Sequence, residues 1–204
     1  MNRPAAPVSL GQERTSKGLE QFFAGLENRV NLSIIDFAGA SQANITFITS
    51  LGHKLYADDV LRSVDQSFGT GVEAMEKQSD PDAIAEFISQ NLDFDHASFD
   101  GALIWDTLQF FAPPLLEAVM QKLYQALRPG AYLFAIFSAR EKERSIPSYS
   151  YRINGSRTFT LLPRGERVVG QFFNNRSIEN VFQGWASIKF FLTRDNFQEV
   201  LVRR

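Results

Sequence analysis

The sequence predicts an α/β domain in three layers: a mostly parallel sheet between helices, with an antiparallel C-terminal strand and a small β-meander insertion. Three observations predict it. "NLSIIDFA", a helical stretch and "HKLYADD" give strand, helix and strand within about 30 residues, a unit that forces parallel strands through a right-handed crossover. "AYLFAIFSA" is apolar nearly throughout, the pattern of a central strand covered on both faces. Residues 140–176 switch to short β-rich stretches separated by turn signals. At 204 residues the chain is long enough for one sizeable core and short for two.

Taken in order, residues 1–15 carry Pro4 and Pro7 with little periodicity and read as a flexible leader, leaving 16–204 as the single domain. From Ser16, Leu19, Phe22, Phe23, Leu26 and Val30 follow helical spacing and predict an amphipathic helix on the sheet. "SQANITFITSL" reads as a helix closed by Gly52. "PDAIAEFISQNL" starts with Pro81 in a first-turn position and carries Ile84, Phe87 and Ile88 at helical spacing. No third strand is evident before "FDGALIWD", residues 99–106.

After that strand, Pro113 and Pro114 open a helix with the apolar set Leu115, Leu116, Val119, Met120, Leu123 and Leu127. Arg128-Pro129-Gly130 ends it, because proline cannot continue a helix and glycine tolerates a left-handed turn. "SYSYRI", "RTFTLL" and "RVVGQFF" form the meander, with turns at Asn154-Gly155 and Pro163-Arg164-Gly165. "SIENVFQG" reads as a short helix with Ser177 as N-cap, and "SIKFFLT" and "FQEVLVRR" as a closing antiparallel hairpin.

Composition narrows the function classes. Lys plus Arg number 21 against 23 Asp plus Glu, with no long basic run to serve as a nucleic-acid footprint. With no cysteine and only His53 and His96, disulfides, thiolate chemistry and the usual zinc spacings are excluded; no metal site is expected. The apolar run "YLFAIF" is far below the roughly 20 residues a membrane helix needs, and a reducing cytoplasm is the expected home. Phenylalanine, at 19 residues, far outnumbers Tyr and Trp, and its lack of a polar handle points mainly to core.

Four stretches together resemble the class I S-adenosylmethionine (SAM) dependent methyltransferases, whose fold is Rossmann-like. "SIIDFAGASQAN" is similar to that family's first strand, acid and glycine-rich loop, and "KLYADD" to its second strand with a ribose-binding acid. "SFDGALIWDTLQFFAPP" is similar to the fourth strand, and "ALRPGAYLFAIF" to the helix, Arg-Pro-Gly turn and fifth strand. The resemblance spans residues 30–204 and implies SAM as cofactor.

Ligands of open α/β sheets bind outside the carboxyl ends of the strands, at the switch point beside the first strand. Asp36 falls at such an end and is expected to accept from a cationic amino group, as its counterpart in the family does for SAM. Asp58 and Asp59 follow 22 and 23 residues later, near the spacing at which an acid reaches ribose hydroxyls. The resemblance implies cofactor contacts from the loop residues Ala38, Gly39, Ala40 and Ser41, from Asn44 and from Trp105. It implies acceptor contacts from Asp106 and from Tyr149 and Tyr151 in the meander, which would form a lid. The loop holds one glycine where the family has two or three, and Gln42 stands where a ligand carboxylate would lie. His96 falls near the expected pocket rim, and His53 on the opposite, entry side.

Two functions follow. The favoured one is SAM-dependent in-line methyl transfer to a small-molecule acceptor, which needs little acid/base machinery because the sulfonium is already an activated donor. No Asn-Pro-Pro-Tyr type motif points to nucleic-acid bases. The alternative is a catalytically inactive methyltransferase-fold protein serving as a binding or scaffold subunit. It is motivated by the glycine-poor loop, the missing third strand and the doubled phenylalanines. Its homodimer or partner contacts would fall on the meander or the terminal hairpin.

Overall fold

The computed structural model describes residues 11–139, 143–193 and 197–204. The expectations for residues 1–10, 140–142 and 194–196 lie outside them. The chain runs β1 (Gln12–Thr15), α1 (Lys17–Ala24), β2 (Ser33–Asp36), α2 (Gln42–Ser50), β3 (Lys54–Ala57) and α3 (Val60–Phe68). It continues with α4 (Val72–Lys77), α5 (Pro81–Asn91), β4 (Phe99–Trp105), a 3-10 turn (Thr107–Phe110), α6 (Pro113–Ala126) and β5 (Leu127–Ser138). Last come β6 (Ser145–Gly155), β7 (Thr158–Val168), α7 (Asn175–Val181), β8 (Ser187–Leu192) and β9 (Phe197–Arg203).

The main sheet has the order β3-β2-β4-β5-β9-β8. Its first four strands are parallel; β9 runs antiparallel to β5, and β8, antiparallel to β9, returns to the direction of the first four. Strand alternation sorts the side chains into two cores. Ile35, Ala102, Ile104, Leu133, Ala135 and Val202 face α3, α5 and α6. Ile34, Leu103, Trp105, Phe134, Ile136 and Leu201 face α1, α2 and a second sheet of order β1-β7-β6. This second sheet, the cap, covers the main sheet beside α2.

Several local expectations are corrected. Gln12–Thr15, assigned to the leader, pairs antiparallel with β7, which supplies the backbone partners its own sequence does not announce. The first helix ends at Ala24, before the left-handed Asn28 and Asn31, so Val30 lies outside it and is 71% exposed. Pro163-Arg164-Gly165 is no turn: it sits inside β7, where Ser148 pairs Gly165 and Tyr149 pairs Pro163, leaving Arg164 as the extra residue of a bulge. "RVVGQFF" is not a strand of its own, because β7 stops at Val168. Gly170 then packs on Phe111, whose carbonyl oxygen would stand 2.1 Å from an added Cβ. Ser177 is not the N-cap of α7; Asn174 is, and Ser177 completes the capping box.

Between β3 and β4 the described residues contain three helices and no strand, so the sheet lacks a third parallel strand beyond β3. Asp59 caps α3 and Asp80 caps α5, each accepting a backbone N–H from the first turn.

Candidate functional site

From β2 the sheet extends to β3 on one side and β4 on the other, so the crevice at the carboxyl end of β2 is the switch point. Asp36 ends β2 there and is fully buried. One carboxylate oxygen accepts from the Ala38 backbone N–H (2.9 Å) and the Trp105 indole N–H (2.7 Å), and the other from the Asn44 side-chain amide (2.8 Å). Burial pushes its pKa up to about 6, against the pull of those three donors.

Asn44 is also fully buried, because it carries the cap. Its amide donates to the Tyr151 carbonyl (3.1 Å) and its oxygen accepts from the Ile153 backbone N–H (2.8 Å). One side chain thus fastens Asp36 to the exposed-edge backbone groups of β6.

Trp105 adopts φ +55, a left-handed conformation rare for a bulky residue. A bulge between Leu103 and Trp105 in the β4–β5 pairing accompanies it. The indole lies in the crevice stacked on the Tyr151 ring, with centroids 4.4 Å apart and planes 13° from parallel; Phe134 and Phe159 close its sides.

Asp106 follows, wholly buried, with its pKa pushed to about 7 by that burial; the Tyr151 hydroxyl beside it, its own backbone N–H, Arg164 and Arg167 pull the other way. Neither the Tyr151 hydroxyl nor Asp106 Oδ2 reaches hydrogen-bond geometry with a partner among the described residues. Burial, and then the Asp106 carboxyl, push the tyrosine pKa well above its usual value.

The loop folds inward upon itself. Gly39, at φ +86, donates its N–H to the Asp58 carbonyl (3.2 Å), and Ala38 bridges Asp59. A Cβ at Gly39 would meet Asp59 Cβ at 3.1 Å. Asp58 is half-buried, and burial and the Asp59 charge raise its pKa. Asp59 is engaged twice: besides capping α3 it takes a two-pronged pair from Arg164, at 2.9 and 2.6 Å. Arg167 makes the parallel contact to Asp65 on α3. Ala40 is exposed, Ser41 is the N-cap residue of α2 without a side-chain cap bond, and Gln42 bonds Thr46 along the helix rather than filling the crevice. Tyr149 contacts Phe197 on β9, outside the Trp105 stack.

The remaining candidates are placed elsewhere. His96 precedes β4 and is exposed at the amino end of the sheet, not at the pocket rim, because the loop before a parallel strand lies opposite its carboxyl end. His53 is buried at that same end, where burial and Arg29 lower its pKa. Arg164 and Arg167 escaped the sequence reading: their partners lie more than 100 residues away, and no local spacing pairs them. Among the described residues no group of three or more His, Asp or Glu is placed to hold a metal, and no helix is long and apolar enough to cross a membrane.

As arranged, Asp36 is closed off from solvent by its own donors. Tyr151 covers one face of the Trp105 indole. A cavity of about 450 Å³, lined by Asp65, Met75, Phe110, Ser148, Arg164 and Arg167, includes neither Asp36 nor any of residues 38–41 or 105.

No family model matches the sequence, and no curated protein matches it. Solved structures do match. A SAM-dependent methyltransferase from Methanosarcina mazei is 12% identical, with 89% of this chain and 96% of that one covered at TM-score 0.52. One from Archaeoglobus fulgidus is 9% identical, with 91% of each chain covered at 0.51. The 1,6-didemethyltoxoflavin N1-methyltransferase of Burkholderia thailandensis, with bound 1,6-didemethyltoxoflavin and S-adenosylhomocysteine, is 12% identical, with 92% and 76% covered at 0.50. What these similarities establish is a shared fold, that of the class I SAM-dependent methyltransferases.

Proposed function

We propose that this chain, which has the class I SAM-dependent methyltransferase fold, serves as a catalytically inactive binding or scaffold subunit. The carrying observation is Asp36: its carboxylate is fully buried and already takes three N–H donors from Ala38, Asn44 and Trp105. A ligand ammonium could reach this buried carboxylate only by opening the contacts that enclose it, and a buried polar group left unpaired by that opening costs about 1–3 kcal/mol. The Trp105–Tyr151 stack adds apolar contact that an entering ligand must also break. Partner or second-copy contacts then fall on the terminal hairpin, where β8 is an outer strand and Leu192 is 88% exposed.

Calorimetric titration with SAM and S-adenosylhomocysteine at millimolar concentration tests this reading. The expected result is no binding heat and no thermal shift; saturable heat from either ligand overturns it. The second reading, SAM-dependent methyl transfer to a small-molecule acceptor, is supported by the Burkholderia thailandensis structure, which pairs this fold with bound S-adenosylhomocysteine and 1,6-didemethyltoxoflavin. It requires β6 to leave the crevice, and ligand released from freshly purified protein and identified by mass spectrometry as SAM or S-adenosylhomocysteine would favour it.

A further inference from the structure

The Trp105–Tyr151 stack is held between two buried carboxyls. Asp36 takes the indole N–H at one side, and Asp106 lies beside the phenol hydroxyl at the other. The two differ in their partners. Asp36 has three donors, whereas Oδ2 of Asp106 has none among the described residues. The ionisable and charged groups acting on Asp106 are Tyr151 from β6 and Arg164 and Arg167 from β7. Both arginines are already engaged: they moor β7 to α3 through Asp59 and Asp65. Tyr149 and Arg14 act in turn on Tyr151.

We propose that Asp106 is a proton-operated release for the cap sheet, a role that rests on the reading that the cap seals the crevice. While Asp106 is neutral it draws on neither Arg164 nor Arg167, and the moorings to α3 and the aromatic stack persist together. Once it ionises, an uncompensated charge stands in a dry interior. That charge is relieved by drawing an arginine off Asp59 or Asp65, or by admitting water beneath β6. Either route loosens the cap, so the crevice opens as the proton leaves.

Hydrogen exchange of the Tyr151–Ile153 amides, expressed as protection factors, and Trp105 fluorescence in a Trp185→Phe background test this between about pH 5.5 and about pH 8.5. Protection is expected to fall roughly tenfold or more as pH rises, with the indole emission moving to the red. Asp106→Asn is expected to remove the part of both changes centred near pH 7, leaving only the part that Asp36 contributes near pH 6. Tyr151→Phe keeps the stack but removes the hydroxyl that favours the carboxylate, and so moves the midpoint to higher pH. Constant protection in the parent protein, or an unchanged transition in Asp106→Asn, overturns the proposal. If Asp106→Asn does not fold, an unshifted or lowered Tyr151→Phe midpoint does so. SAM titration at both pH values separates the two readings. Binding confined to the high-pH state refutes the sealed scaffold while leaving the release intact; a pH-independent cap without binding does the reverse.

Discussion

Asn44 joins a loop, a strand end and the cap through one amide, so its removal is felt in three places. Asn44→Ala leaves Asp36 Oδ2 short of a donor and orphans the Tyr151 carbonyl and the Ile153 N–H. Buried orphans cost about 1–3 kcal/mol each, and a total loss of roughly 3 kcal/mol or more is expected in urea unfolding, with increased exchange confined first to β6. Trp105→Phe is milder. It keeps an aromatic surface against Tyr151 while removing the N–H given to Asp36, and about 1–3 kcal/mol is expected from the same measurement. The left-handed backbone at Trp105 is a further cost the folded state bears, on the order of 1–2 kcal/mol. A bulge and a stacked partner hold it there.

At the scale of elements, the proposed scaffold reading makes the glycine-poor loop and the cap two separate obstacles to a ligand. Restoring glycine at Ala38 and Ala40 relaxes only the first, since Asp36 keeps its three internal donors and Tyr151 keeps its place on Trp105. The double variant is therefore expected to show no SAM heat in calorimetry. Gly39→Ala acts in the opposite direction. Positive φ and a Cβ contact of 3.1 Å to Asp59 predict a loss of about 1 kcal/mol or more in thermal unfolding. The moorings of β7 to α3 depend on a bulge that turns Arg164 toward Asp59, and Arg164→Ala is expected to raise exchange along β7 while leaving β4 and β5 protected.

Across the whole molecule, the raised carboxyl pKa values make stability depend on pH. Asp36 rises from 3.8 to about 6 and Asp106 from 3.8 to about 7, so both bind protons more tightly in the folded state. Their contribution is fully present below pH 3.8, is lost as pH rises through the folded pKa values, and is gone above about pH 7. Each pKa unit corresponds to about 1.4 kcal/mol. Asp106→Asn removes one of these ionisations. Its stability relative to the parent is therefore expected to improve steadily between about pH 4 and about pH 7, as denaturant melts at several pH values would show.

The layers, the crossover and the strand carrying Asp36 were legible in the sequence because they rest on periodicity. Ile34 and Ile35, or Leu103 and Ile104, alternate between two cores, and Leu115, Leu116, Val119 and Leu123 mark one helix face. Asp36 and Trp105 stood out as candidates through the likeness of their strand ends to the methyltransferase pattern, and Tyr151 as an aromatic of the meander. Their partners were not legible. The Asp36–Trp105 bond spans 69 residues, the Asn44–Ile153 bond 109 and the Arg164–Asp59 pair 105, and no local pattern records which side chains such separations bring together. The sequence by itself determined a methyltransferase-like sheet with an acid at its switch point. Only the tertiary structure decided that the crevice is filled from within, because occupancy depends on where β6 docks, and docking is set by packing and hydrogen bonds between distant segments rather than by the order of residues along the chain.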